Sequence, residues 1–218
     1  MRKHDVSLFK YGLVFCLTIV VFLFGVLLGN YFTERKFDSI NSIEDNLRIQ
    51  TAGAELQYLL LIQQPCKYIN STPLTDDLYR ISERLDYMES QRGENDVDVL
   101  RLKNTYSLLQ LRHWLFTLKT NEQCKTNQVP VLYFYSNSGD CPQCKEQGYT
   151  LTYLRKHYPD LRVYSFDVNV KNPALDTLKQ VHQITATPTL ILPDRTLGFT
   201  TIDEMRTALA SHNLTAIE

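Results

Sequence analysis

The sequence predicts an α/β domain at its C-terminal end, preceded by an all-α helical bundle and by a transmembrane helix. Three observations indicate this order. Near residue 125 the hydrophobic periodicity changes from helical spacing to short apolar runs. A long region of helical periodicity comes before that point, and residues 11–32 form an uncharged, almost wholly apolar run. The 218 residues are enough for an anchor and two small domains.

The apolar run from Tyr11 to Phe32 is long enough for a transmembrane helix, which needs about 20 residues. The alternative is a cleaved signal peptide, which has a shorter core and a small-x-small cleavage site. Basic residues in positions 1–10 favour a cytoplasmic N-terminus. The predicted localisation is therefore the membrane, with a single pass, residues 1–10 in the cytoplasm and the C-terminal domain extracytoplasmic, either periplasmic or extracellular.

Residues 33–124 are predicted to form the helical bundle. Apolar residues recur there at helical spacing, and a proline and a glycine divide the pattern into three amphipathic helices. In the third helix Leu100, Leu108 and Leu115 share one face with further apolar residues, and we expect that face to be buried in the bundle core.

Residues 125–218 are predicted to form a domain with the element order βαβαββα. The strands are expected at 129–135, 161–168, 189–192 and 195–200, and the helices at 142–157, 173–183 and 202–212. A strand, helix, strand order implies a parallel pair of strands joined by a crossover.

Cys141 and Cys144 lie between the first of these strands and the helix that follows it. The N-terminus of a helix directs unpaired N–H groups and the positive end of its dipole at the first sulfur, which favours the thiolate. A second thiol nearby can then resolve a mixed disulfide. The alternatives are a zinc half-site, for which the sequence offers no second ligand pair, and a permanently closed disulfide. No metal site is predicted.

This cysteine pair, together with the Thr187-Pro188 step that opens a β-branched apolar segment, resembles the thioredoxin superfamily over about residues 127–214. The resemblance implies an α/β thioredoxin-like fold for the C-terminal domain. It also implies that Cys141 is the attacking sulfur, that Cys144 is the resolving one, and that a cis bond precedes Pro188. The backbone of Thr187 would then pair with an extended substrate segment. The alternative for Pro188 is a trans proline that starts an edge strand.

The resemblance implies a thiol–disulfide oxidoreductase that needs no cofactor, and the predicted transmembrane helix would anchor it in the membrane. Its partners would be extracytoplasmic protein thiols and disulfides and a membrane redox partner. The alternative is a non-catalytic, membrane-tethered binding or assembly module built on a thioredoxin-like scaffold. The direction of electron flow stays open, because no Trp precedes Cys141 and the first strand lacks the buried acid of thioredoxin. A net charge of -1 gives no indication of nucleic-acid binding.

Cys66 and Cys124 follow the first and third predicted helices, which end at the same pole of an up-down-up bundle. A structural disulfide between them is therefore predicted, and such a bond fits an oxidising compartment. The alternative is a second redox pair that passes electrons to Cys141 and Cys144.

Overall fold

The computed structural model describes residues 8–68, 73–212 and 214, and the side chains of all of these except 8–10, 28–51, 68 and 73. The chain divides into two compact units, one that ends at Gln57 and one that begins at Tyr58. Residues 1–7 of the predicted cytoplasmic segment lie outside the described residues. The predicted domain boundaries at residues 10, 32 and 124 stay predictions.

The described residues form six α-helices, one 3-10 helix and four strands. The α-helices are α1 (Leu8–Gln63), α2 (Pro73–Arg92), α3 (Val97–Cys124), α4 (Cys144–His157), α5 (Pro173–Val181) and α6 (Ile202–Ala210), and the 3-10 helix η1 is Pro65–Tyr68. The strands are β1 (Val129–Tyr135), β2 (Leu161–Asp167), β3 (Thr189–Ile191) and β4 (Thr196–Leu197).

The prediction of a transmembrane helix over residues 11–32 is wrong. In the part of the chain that the structure describes, no helix combines the length and the apolar character that a bilayer crossing requires. The predicted single-pass membrane localisation is wrong for the same reason, and the partners expected from the sequence stay predictions.

The second unit contains a four-stranded sheet in the order β2-β1-β3-β4. Strand β1 pairs with β2 in parallel and with β3 antiparallel, and β4 pairs with β3 antiparallel. Because β1 is central, both of its faces are buried. Val131 and Tyr133 pack in a cluster with residues of α4 and α6, while Leu132 and Phe134 pack on the opposite face with residues of α5.

Helix α3 lies along the side of β2 that faces away from β1. The side-chain amide of Gln110 donates from Nε2 to the Ser165 carbonyl at 2.9 Å and accepts from the Ser165 N–H at 2.6 Å. The Tyr164 hydroxyl lies 2.8 Å from Thr117 Oγ1 and 2.7 Å from His113 Nδ1. Polar side chains of α3 are therefore bonded to the backbone and side chains of β2.

These contacts correct the predicted fold class of a transmembrane helix and a separate bundle that precede a βαβαββα domain. Helix α3 and the sheet belong to one compact unit. The prediction of which face of α3 is buried is also wrong, because Leu100, Leu108 and Leu115 are 38–40% exposed. The buried face is mostly polar and consists of Val99, Lys103, Ser107, Gln110, Phe116, Thr117 and Thr120. Polar residues are tolerated there because β2 and α2 supply partners.

Three helices of this unit begin at side chains that bond their free N–H groups. Asp96 accepts from the Asp98 and Val99 N–H groups at the start of α3. Asn172 does the same at α5, and Thr201 forms a capping box with Glu204 at α6. Each such cap stabilises its helix by about 1 kcal/mol, and together they fix where these helices start.

His113 gives the fold a pH dependence that can be measured. Burial, together with the charge of Arg162, lowers the pKa of His113 to about 4, so the folded chain keeps this imidazole neutral. An unfolded histidine titrates near pH 6.5. Between about pH 6.5 and pH 4 the imidazole of His113 is therefore protonated in the unfolded state but not in the folded state. The free energy of unfolding falls as the pH is lowered through this range. We expect His113 to account for a loss of up to about 3 kcal/mol.

The measurement is urea unfolding of the wild-type chain and of His113→Gln at pH 7 and at pH 4.5. The carboxylates titrate in both proteins, so the difference between the two pH dependences isolates the imidazole. Equal losses of stability in the two proteins would show that His113 is protonated in the folded chain.

Candidate functional site

The cysteine pair lies in the connection between β1 and α4. Cys144 is the first residue of α4, and its N–H donates to the Cys141 carbonyl at 3.2 Å, which closes a turn over Pro142 and Gln143. The two sulfurs form a disulfide with a Cα–Cα distance of 5.4 Å. Cys141 is 9% exposed and Cys144 6%. The N-terminus of α4 thus adjoins the loop that carries Cys141, and the positive end of a helix dipole favours a thiolate at such a position.

Tyr133 supports this turn from inside the sheet. It lies on β1, is 4% exposed, and its hydroxyl donates to the Cys144 carbonyl at 2.5 Å. Burial raises the pKa of Tyr133 far above its usual value, so the hydroxyl stays protonated and remains a donor. A phenol, not a carboxylic acid, is therefore the buried polar group beneath the cysteine pair. Tyr133 could not be identified from the sequence, because an aromatic residue in an apolar strand is typical of a core residue.

Thr187 and Pro188 lie at the same end of the sheet as the cysteine loop. The bond between them is cis, and Pro188 is buried. Thr189, the next residue, is opposite Phe134 near the end of β1. A cavity of about 640 Å³ is lined by Asp140 of the cysteine loop, by Thr187, and by residues of α5 and the turn that follows it. Asp140, the residue before Cys141, and Thr187 therefore border one open space, which neither cysteine itself lines.

One lysine and two carboxylates line this cavity. Lys179 Nζ lies 2.8 Å from Asp176 Oδ1 and donates to the Val168 carbonyl at 3.2 Å. Asp140 Oδ1 accepts a hydrogen bond from Ser136 Oγ. Since Lys179 is neutralised by Asp176, the carboxylate of Asp140 is the uncompensated charge of the cavity. Among the residues whose side chains are described, no group of three or more His, Cys, Asp or Glu could hold a metal ion.

Cys66 and Cys124 form a second disulfide, with a Cα–Cα distance of 5.4 Å. The Cys66–Cys124 disulfide joins η1 to the last residue of α3, so both cysteines precede β1 in the chain. Cys141 and Cys144 follow β1. Strand β1 is 7 residues long, so its two ends are about 20 Å apart. Cys66 and Cys124 are therefore not part of the site that contains Cys141 and Cys144. The arrangement favours a structural role for this bond over a relay of electrons.

Comparison with known proteins finds similarity at the level of structure. No protein family and no curated protein matches the sequence. Thioredoxins are among the solved structures that resemble this chain. Thioredoxin O1 from Arabidopsis thaliana is 18% identical, with 45% of this chain and 89% of that chain covered and a TM-score of 0.35.

Two further thioredoxins show the same extent of similarity. Thioredoxin from Fasciola hepatica is 15% identical, covers 46% of this chain and 94% of its own, and has a TM-score of 0.33. Mitochondrial thioredoxin 3 from Saccharomyces cerevisiae is 23% identical, covers 44% and 89%, and has a TM-score of 0.32. Similarity of this size carries no argument about function, which rests on the site itself.

Proposed function

We propose that this chain is a thiol–disulfide oxidoreductase that exchanges disulfides with protein substrates. The observation that carries the proposal is the disulfide between Cys141 and Cys144 at the N-terminus of α4. A dithiol two residues apart at a helix N-terminus combines a stabilised thiolate with a resolving thiol. The open cavity next to it gives a substrate segment access to this loop.

In the reduced chain the Cys141 thiolate attacks one sulfur of a substrate disulfide. The substrate S–S bond breaks, a mixed disulfide forms, and the leaving thiolate takes up a proton. Cys144 then loses its proton and attacks the Cys141 sulfur, which releases the second substrate sulfur as a thiolate. Two electrons have passed to the substrate, and the Cys141–Cys144 disulfide is closed. With an oxidised chain and a dithiol substrate, the same bonds form and break in reverse.

The proposed roles differ between the two cysteines because their positions differ. Cys141 precedes α4 and lies in the loop next to the cavity, whereas Cys144 is held in the first turn above Tyr133. We assign the attack to Cys141 and the resolution to Cys144. Thr187 would bind an extended substrate segment through its backbone, at the border of the cavity that it shares with Asp140.

The test is the Cys144→Ser variant, which lacks the resolving thiol. After incubation of the reduced variant with a disulfide-bonded test protein, we expect a stable mixed disulfide on Cys141, visible on a non-reducing gel and by mass spectrometry. The Cys141→Ser, Cys144→Ser double variant is the control and should trap nothing. A folded Cys144→Ser variant whose Cys141 reacts with iodoacetamide but forms no mixed disulfide would refute the proposal and favour a binding module.

A further inference from the structure

A charged side chain is buried where α2, α3 and the end of β2 meet. Lys103 of α3 is 2% exposed, and its Nζ lies 2.8 Å from Glu89 Oε1 and 3.6 Å from Asp167 Oδ2. Among the described residues, no acceptor meets this ammonium at hydrogen-bonding angles, so it acts on both carboxylates as a charge. Such a group is costly to bury, and it is retained only where partners hold it.

Asp167 contacts Lys103 with one carboxylate oxygen and Asn169 with the other. Asp167 Oδ1 accepts from the backbone N–H of Asn169 at 3.0 Å and from Asn169 Nδ2 at 3.1 Å. The same Nδ2 donates to Ser136 Oγ at 2.8 Å. An amide nitrogen carries two hydrogens, and here one is directed to Asp167 and the other to Ser136. The amide of Asn169 therefore joins the end of β2 to the loop that follows β1.

Ser136 completes the connection to the cysteine loop. Its Oγ accepts from Asn169 Nδ2 and from the Ser138 N–H at 3.2 Å, so both lone pairs are used. A hydroxyl has one hydrogen, and it must then be donated to Asp140 Oδ1, the remaining partner. This hydrogen bond to a charged acceptor is of the strong kind. The position of the Asp140 carboxylate is thus determined by a continuous set of contacts that begins at Lys103.

Asp140 directly precedes Cys141, and a carboxylate near a thiol disfavours the thiolate. We propose that Lys103 is a positioning residue for Cys141, which acts through Asp167, Asn169 and Ser136 on the Asp140 carboxylate and so sets the reactivity of the thiol. This inference rests on the proposed function, since it concerns the same dithiol. It adds that a residue of α3, outside the βα connection that carries the cysteines, controls them.

The test follows the rate at which Cys141 of the reduced chain reacts with iodoacetamide as a function of pH. Asp140→Asn removes the carboxylate, and at pH values below the pKa of Cys141 we expect the rate to rise about threefold to tenfold. Asn169→Ala removes the donor that orients Ser136, so the exposed Asp140 carboxylate is no longer held in one position, which weakens its average effect on the sulfur. The rate should therefore rise in the same direction. Lys103→Met should do the same, because Asp167 and Asn169 lose their anchor.

A double-variant comparison decides whether the contacts act through Asp140. In the Asp140→Asn background, Asn169→Ala should add no further change in rate. Asn127→Ala and Lys119→Met are matched controls at polar contacts elsewhere, and their profiles should equal that of the wild-type chain. If Lys103→Met does not fold, Asn169→Ala, at an exposed position, decides the outcome.

Two results would overturn the inference. One is an unchanged alkylation profile in Asn169→Ala, even if that variant unfolds more easily, because the contacts would then only stabilise the fold. The other is that Asn169→Ala changes the alkylation rate of Cys141 equally in the wild-type and in the Asp140→Asn background. The reaction with iodoacetamide needs no protein substrate. A failure of disulfide exchange would therefore refute the proposed function but would leave the alkylation test of Lys103 and Asn169 valid.

Discussion

Replacing Cys141 with serine is expected to lower the rate of disulfide exchange with a protein substrate by at least about a thousandfold. A serine hydroxyl is not ionised near pH 7 and cannot form a disulfide, so neither the mixed disulfide nor the closed Cys141–Cys144 bond can arise. The measurement is the transfer of disulfides to or from a test protein, followed by mass spectrometry of its alkylated thiols. Because the loop that holds Cys141 is bonded through its backbone, we expect the variant to stay folded.

Cys16 provides the matched control for this prediction. It is the free cysteine of the described residues and it is exposed. Cys16→Ser should exchange disulfides at the wild-type rate, which would show that the loss is specific to the site. Retained exchange in Cys141→Ser together with loss in Cys144→Ser would assign the attack to Cys144 instead.

Removing the disulfide between Cys66 and Cys124 is expected to lower the free energy of unfolding by about 4 kcal/mol. The bond closes a loop with a sequence separation of 58 residues, and the unfolded chain gains conformational entropy when this constraint is lost. Cys66 is exposed and Cys124 half-buried, so lost packing adds little. The variant is Cys66→Ala, Cys124→Ala, and the measurement is guanidinium unfolding followed by circular dichroism.

Cys16→Ser again serves as the control, since it removes a sulfur without opening a loop and should unfold like the wild-type chain. Disulfide exchange by the double variant should persist below its unfolding midpoint, because this bond and the cysteine pair lie beyond opposite ends of β1. If instead the exchange were lost while the variant remained folded, Cys66 and Cys124 would belong to the redox pathway.

The strands of the sheet and the helix after β1 could be predicted well, because the pattern of apolar residues in each segment indicates both its burial and its type of secondary structure. The strand expected at 129–135 has these bounds in the structure, and the strand expected at 161–168 ends one residue earlier. The strand expected at 195–200 shrinks to Thr196–Leu197. The predicted helix at 142–157 begins two residues later, because Pro142 and Gln143 form a turn. Local signals fix such elements, while their ends depend on tertiary contacts.

The packing of the elements could not be predicted in the same way. The regular leucines of α3 indicated a buried face, but the helix turns its polar residues inward, since the carbonyl and N–H of Ser165 bond the amide of Gln110. Hydrophobic periodicity does not predict that a glutamine is buried, because the burial depends on hydrogen-bond partners from another part of the chain. The apolar run after residue 11 likewise indicated a membrane span by its composition, and the described helix does not meet the requirement for one.

The candidate site was only partly accessible from the sequence. The spacing of Cys141 and Cys144 identified the dithiol, and the Thr187-Pro188 step indicated the segment next to it. Tyr133 and the polar side chains of Ser136 and Asn169 carry no motif. They come together because β1 and β2 are parallel and end side by side, a fact of topology that residue spacing does not contain. The one signal was the location of polar residues just after two predicted strands.

The amide of Gln110 has a consequence for how this chain behaves among its neighbours. A free strand edge is a template on which other chains can add strands and aggregate. Gln110 occupies the outward N–H and C=O of Ser165 in the middle of β2, and so a side chain takes one of the hydrogen-bonding positions that a fifth strand would need there. At the opposite edge β4 has only 2 residues, too few to recruit a partner. The two edge strands thus differ in what opposes the addition of a further strand, which is a side chain at β2 and a short length at β4.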